Sequence, residues 1–582
     1  MLFGVTVIFL ATLLGKPAKT AAKTVVSYDA DLEKLAVTNN IAQLPNPIIP
    51  QKPELTPIQP AQSQPTPLET IPPTLQPGEI LPRIPGTIRV QGFEFVGNTA
   101  FSDRQLAEVT KPFTAREITF AELIAVETAV TQKYVEAGYI NSGAVISANQ
   151  TFPRSGGVVK IQIIEGELTE IQIIGNRHLN ANYLRSRLEI ATKKPLNRNK
   201  LLEVLQILQL NPLIANISAE LQAGSRPQQS RLQVRVKEAD TVSGEIFTDN
   251  NRSPSVGSVR RGIKIHQGNL LGWGDGLELS YTNSDGSNAF DANYTLPINA
   301  HNGTIEFAAG VTNTNVIEQP FNRLDITGKS RTYEFTYRQP IVEKPNQELA
   351  LGLTFSRQES QTSLLTEGFP LSPGANNQGE TSVSALRFFQ EYVQRSPRQV
   401  LAARSQFSLG TDIFGATVND NAPDSRFFAW RGQGQYVRLL APETLLILRS
   451  DIQISTDSLL SLEQIGIGGV RSVRGYRQDL ILTDNGVITS AELRLPILRL
   501  PEIKSIFQIA PFIDFGIGWN YSGEKANSQS NSLLGTGLGV IWQMSDKLNA
   551  RLDYGIPLID VKANNKTLQD QGIYLNINYF LF

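Results

Sequence analysis

From Asp240 to Phe582 the sequence runs in short segments of alternating apolar and polar residues, separated by clusters of Asn, Gly, Asp and Ser. Leu277, Leu279 and Tyr281 alternate with Glu278, Ser280 and Thr282; Tyr333, Phe335 and Tyr337 alternate with Glu334, Thr336 and Arg338. The pattern returns at Leu349, Leu351, Leu353 and Phe355, at Ile452 and Ile454, and at Leu548, Ala550, Leu552 and Tyr554. Successive side chains of a strand point to opposite faces, so each segment has one apolar and one polar face. A β-sandwich core does not stay this regular over such a length, and no blade-length repeat marks a propeller. A closed transmembrane barrel, apolar outside and polar inside, fits the pattern. At roughly 20 residues per strand and turn, with about 10 in the strand, the stretch holds on the order of 16 antiparallel strands.

Composition removes the competing classes. With 41% hydrophobic residues and no later apolar run near the ~18 residues a spanning helix needs, a bundle of membrane helices is excluded. Lys and Arg number 53 against 54 Asp and Glu, which gives no basic field and therefore no nucleic-acid partner. There is no Cys, and the only His residues are His178, His266 and His301, so thiolate chemistry, disulfides and a His-rich metal centre are excluded. Gly328-Lys329-Ser330 ends like a phosphate loop, but Arg323 stands where its first glycine belongs. No nucleotide, metal, cofactor or catalytic residue is expected, and the chain does not read as an enzyme.

Ahead of the barrel the period changes. Leu2 to Gly15 is an apolar run like a signal-peptide core, although no Lys or Arg precedes it. Asp29 to Gln43 admits two readings, a short helix or a frayed tail. Between Pro45 and Pro85 stand 13 of the chain's 33 prolines, which predicts an extended linker that forms neither helix nor sheet. From Ile88 to Leu168 the order reads strand, helix, helix, strand, strand, with capping boxes at Ser102-x-x-Gln105 and Thr119-x-x-Glu122. Gly97-Asn98 in FEFVGNTAF is echoed by Gly175-Asn176 in IQIIGNRHL, so a second module of the same kind follows the first.

Two motifs interrupt the barrel pattern. Gly466, Gly468 and Gly469 lead into Val473-Arg474-Gly475-Tyr476 and permit a tightly folded loop carrying a permanent charge. In FQIAPFIDFGIGW, Phe507, Ile509, Ile513, Phe515 and Ile517 share the apolar parity, which turns Phe512, Asp514 and Gly516 toward the lumen. The same alternation turns Glu492, Arg494, Arg551 and Asp553 inward. Parity leaves two readings open: Arg474 on an infolded loop pairs with Asp514, or these charges only line a wet pore.

These residues carry a resemblance. From about Ile88 to Phe582 the chain resembles the TpsB-type outer-membrane transporters of two-partner secretion, the hemolysin secretion/activation proteins, in the POTRA-plus-barrel superfamily of the barrel assembly machinery. Val473-Arg474-Gly475-Tyr476 is similar to the family's VRGY loop motif, and Phe512-x-Asp514-x-Gly516 to its F-x-D-x-G barrel motif. Asp249-Asn250-Asn251 and Asn269 to Asp275 are similar to its first barrel hairpins.

The resemblance implies an all-β transmembrane barrel of 16 strands preceded by two α+β POTRA domains. It divides the chain into a signal peptide over 1–26, a pore-plug helix over 27–43, a linker over 44–87, POTRA domains over 88–168 and 169–239, and the barrel over 240–582. It also implies an inward loop whose Arg474 meets Asp514. The implied function is secretion of an unfolded exoprotein, recognised in the periplasm by its N-terminal secretion domain; the alternative is an outer-membrane assembly or insertion factor. Outer-membrane lipid and, during biogenesis, the barrel assembly machinery are the other implied partners. Phe582 falls out of phase with Leu575, Ile577, Tyr579 and Leu581, a departure from the family's C-terminal strand.

Overall fold

The computed structural model describes residues 68–70 and 86–582, apart from 148, 152, 154, 227, 421–422, 523–529 and 562–566. The expected signal peptide, plug helix and most of the linker lie outside them.

The first module contains strand Thr87–Val96, helix Asp103–Thr110, strand Arg116–Thr119, helix Phe120–Glu136 and strands Gly143–Ile146 and Gly157–Ile164. Both capping boxes form, with Gln105 and Glu122 closing back on the caps. The long helix buries Val126, Val130 and Tyr134 against Phe95, Ile161 and Ile163 of the sheet. Phe120, the first helical residue, lies off that face and is exposed.

The second module runs from Glu167–Ile174 through helices Ala181–Ala191 and Arg198–Gln209 to strands Ile214–Ala223 and Gln229–Glu238, the first module's order without the short strand between the helices. Its core is Leu184, Leu188, Leu201, Leu205, Ile217 and Val234. The repeated Gly-Asn has a shared geometry. Gly97 and Gly175 take φ of 90° and 91°, a region glycine reaches without strain. Asn98 and Asn176 then donate to the carbonyls of Phe101 (2.9 Å) and Leu179 (3.0 Å). The amides just after are capped by a carboxylate: Thr99 and Ala100 donate to Glu165 at 2.6 and 2.8 Å, and Arg177 and Leu179 to Glu238 at 2.6 and 2.9 Å. Backbone bonds from Leu196 to Gly166 and from Arg198 to Gly138, both 2.9 Å, join the modules.

One expectation for the linker is corrected. Leu68–Thr70 forms a short strand parallel to the second module's edge, pairing Leu68 with Ala219 and Thr70 with Leu221. Between Pro67 and Pro72 lies a stretch without proline, so its backbone keeps the N–H donors a ladder needs.

The barrel closes with sixteen antiparallel strands, from Val242–Asp249 to Ile573–Phe580, the two-residue strand Glu367–Gly368 being an appendage of Gln347–Leu364. First and last strands pair only from Asn576 with Asp249 to Phe580 with Glu245. Ile263, Phe307, Tyr333, Phe335, Ile513 and Tyr554 stand exposed on the outer face, the lipid-facing parity read from the sequence. At the end facing the modules several strands join by tight turns such as that between Lys344 and Gln347; the far end carries the longest connections, above all 456–484. The second module seats on two of the near turns. The Asn180 amide donates to the Gly272 carbonyl at 2.8 Å, and Arg187, stacked 3.5 Å over the Tyr183 ring, donates to Asn302 at 2.7 Å.

Candidate functional site in the barrel lumen

The loop between strands Thr444–Ser455 and Asn485–Leu500 turns into the barrel. A short hairpin, Ile465–Ile467 against Ile481–Thr483, gives it internal structure. Ile465, Ile467, Val473 and Tyr476 then pack with Ile488 and Leu533 of the wall, forming an apolar core inside the lumen. Gly468 and Gly469, at φ 115° and 92°, make the turn that presents 473–476 to the wall.

Arg474 is the centre of the contact. Its Nε and Nη2 donate to the two oxygens of Asp514 at 2.7 and 2.9 Å, and its backbone amide donates to Oδ2 at 3.1 Å. Nη1 reaches Glu492 at 2.8 Å and Asp553 at 3.4 Å, and the guanidinium lies 3.4 Å over the Phe512 ring. A planar five-donor fork can meet three carboxylates and stack on an aromatic face at once; an ammonium cannot. Arg551 bridges Glu492 (2.7 Å) and Asp553 (2.6 Å), and Arg494 donates to Glu492 at 2.8 Å. Three guanidiniums thus interlock with three carboxylates. Arg474, Asp514, Glu492 and Asp553 are each no more than 3% exposed, so loss of one partner leaves buried charge uncompensated.

The structure therefore brings Arg474, Phe512, Asp514, Glu492, Arg494, Arg551 and Asp553 into one network. Val473 and Tyr476 anchor the loop on either side of Arg474; the Tyr476 hydroxyl stands 2.9 Å from the carbonyls of Leu534 and Ile559. Gly475 and Gly516 serve by what they lack. Gly475 has φ 101°, and a Cβ on Gly516 would stand 2.5 Å from Ile467 and 2.9 Å from Val473.

Sequence reasoning missed several partners. Tyr574, on the last strand, accepts from the Gly475 amide at 2.9 Å and donates to the Tyr476 carbonyl at 2.5 Å. Arg477 bridges to Glu318 (2.6 Å) and Asp570 (2.5 Å) in two other far-end loops. The loop backbone lies against a wall of glycines: a Cβ on Gly535 would fall 2.0 Å from the Arg474 carbonyl, and one on Gly555 2.4 Å from the Gly475 amide. The signal for that wall was present, since Gly535, Gly537 and Gly539 occupy successive inward positions of one strand.

Comparison with known proteins bears on this geometry. The profile of the haemolysin secretion/activation proteins, ShlB/FhaC/HecB, matches residues 228–541, and that of the ShlB-type POTRA domain matches residues 88–166. The chain belongs to the ShlB/FhaC/HecB family. It is accordingly an outer-membrane transporter of the two-partner secretion type, a closed barrel preceded by POTRA modules. Among relatives, the heme/hemopexin transporter protein HuxB of Haemophilus influenzae strain 86-028NP is 21% identical over 446 residues, 73% of this chain and 75% of that protein. The outer membrane transporter CdiB of Escherichia coli is 22% identical over 478 residues, 80% of this chain and 78% of that protein. The solved structure of CdiB from Escherichia coli superposes with a TM-score of 0.66 at 20% identity, covering 87% of this chain and 93% of the other. That likeness is one of fold; within this ShlB/FhaC/HecB member, the loop-to-wall network lies buried inside the barrel.

Proposed function

We propose that this transporter takes a partner exoprotein from the periplasm through its POTRA modules and passes it, unfolded, through the barrel, with the Arg474 loop holding the lumen in its working arrangement. The observation that carries the reading is the bidentate Arg474–Asp514 contact inside the lumen, directly beyond two modules whose sheets end in strand edges. An extended segment with free main-chain donors and acceptors adds to such an edge, and apolar grooves between helix and sheet select its side chains. Folding of each delivered domain outside releases on the order of 5–15 kcal/mol, which opposes return without any nucleotide. Recognition through an N-terminal secretion domain, contact with outer-membrane lipid and insertion by the barrel assembly machinery belong to the same proposal. So do the domain boundaries at 168 and 239.

Deletion of the gene in its host tests the reading. Loss of one large exoprotein from the medium, with the outer-membrane barrel profile unchanged, is the expected result. A general fall in outer-membrane barrels would instead make the chain an assembly factor.

A further inference from the structure

Arg474 holds only one limb of the inward loop. The other limb begins at Leu459, Leu460 and Leu462, which pack on Val383, Ala385, Phe427 and Ala429 of a different arc of the wall. Next comes Glu463. Both its oxygens are taken by Arg387, whose Nη1 and Nη2 donate at 3.0 and 2.5 Å, and Gln358 donates to it at 3.4 Å. Arg387 is itself aimed by Ser356 on the strand before it (3.1 Å) and Ser408 on the strand after it (3.0 Å). Both charges are buried, at 5% and 3% exposure. A bidentate pair this enclosed and this well supported is a fixed joint. Arg387 lies on strand Glu380–Ser396, the eighth of the ring, whereas Asp514, Glu492 and Asp553 lie on the thirteenth, twelfth and fifteenth.

The two joints differ in chemistry as well as place. In the Arg474 joint the loop supplies the cation and the wall the carboxylates; in the Glu463 joint the loop supplies the carboxylate and the wall the cation. Between them, Gln453 on the strand entering the loop donates to the carbonyls of Glu463 (2.9 Å) and Asp484 (3.1 Å) and draws the two limbs together at their base.

We propose that Arg387 and Glu463 form a second anchor, a positioning pair, and that the loop is a strap fixed to two arcs of the lumen. Release of Arg474 alone leaves the first limb in place. Displacement of the whole loop requires the Glu463 joint to open too. The reversed polarity of the joints means that one passing charge cannot weaken both in the same way.

The test uses the full chain in planar lipid bilayers, with secretion of the exoprotein followed in parallel. Arg387→Glu and Glu463→Arg each place like charges at the joint, and the pair of substitutions together restores an ion pair. Each single variant is expected to raise the frequency of conductance transitions on the order of a hundredfold, the factor set by breaking a buried pair. The double variant is expected to return toward the original trace. Unchanged conductance in both single variants overturns the proposal, and so does a double variant as disturbed as the singles. If the reversed-charge chains do not reach a folded barrel, Glu463→Gln, which keeps shape and removes charge, decides: transitions at the original frequency overturn it. The role of the strap in transport rests on the secretion reading, but the conductance arm does not; disturbed conductance without any exoprotein to follow would retire that reading and leave the anchor standing.

Discussion

The Tyr574 hydroxyl accepts a hydrogen bond from the Gly475 amide at 2.9 Å, tying the tip of the inward loop to the last strand of the barrel. The same oxygen donates to the Tyr476 carbonyl, so a single phenol satisfies two backbone groups of the loop that no water can reach. Tyr574 is 1% exposed.

Tyr574→Phe keeps the ring and removes that hydroxyl, leaving a buried donor and a buried acceptor unpaired. The expected loss is about 1–3 kcal/mol of loop attachment, read as faster protease cleavage within 468–476 of the folded barrel. Cleavage at the original rate would count against the role given to this hydroxyl.

Arg474→Ala is expected to abolish secretion while the barrel still assembles, measured as exoprotein in the medium against heat-modifiable mobility of the transporter. Removing one partner of a buried ion-pair network costs roughly 3–5 kcal/mol, so a lower thermal midpoint should accompany the loss. Arg474→Lys should fail to rescue secretion, because an ammonium cannot grip Asp514 with two parallel bonds while reaching Glu492. Secretion by Arg474→Ala equal to the original would remove the loop from the mechanism.

Gly535→Ala tests the fit without altering any charge. Its new methyl would stand 2.0 Å from the Arg474 carbonyl, so the loop must back away at about 1–3 kcal/mol. The outcome expected is impaired secretion from a normally inserted barrel. Gly92→Ala, where a Cβ meets nothing within 4 Å, is the control and should secrete normally.

The capped Gly-Asn turns make the modules acid-sensitive. Burial pushes the Glu165 carboxyl up, but hydrogen bonds from the Thr99 side chain and from the Ala100 and Thr99 amides outweigh it and hold the carboxyl below its ordinary value. Glu238 is lowered in the same way, burial opposed by the amides of Arg177, Leu179 and His178. A carboxyl lowered by folding stabilises the folded state above its unfolded pKa, about 4.3, and that contribution is lost as pH falls through the folded value. Glu165→Gln should therefore unfold the first module more readily than the parent at pH 7, and the difference should close below about pH 4. A constant difference at both values would show that the charge plays no part.

Much of this was legible in the chain because period-2 alternation reports a face directly. The parity of Ile513 and Phe515 placed Asp514 inside the barrel, and both capping boxes are written in local sequence. What was not legible depends on residues distant in sequence. Nothing near Tyr574 marks it as a partner of Gly475, 99 positions away, and nothing near Glu238 marks it as the cap of a turn some 60 positions earlier. The strand at Leu68–Thr70 was hidden for another reason: proline density describes the linker on average, whereas a ladder needs only a few consecutive free N–H groups.

The closing strand pair sets an order of events. Leu575 donates its amide to Asn250 at 2.7 Å across 325 positions of chain, so the ring cannot shut until translation has passed the last strand. Contacts of such long range form late. Until the two pair, Val242–Asp249 and Ile573–Phe580 are both bare edges, open to pairing with any other strand. A copy whose ring has not yet shut is thus its own most dangerous neighbour.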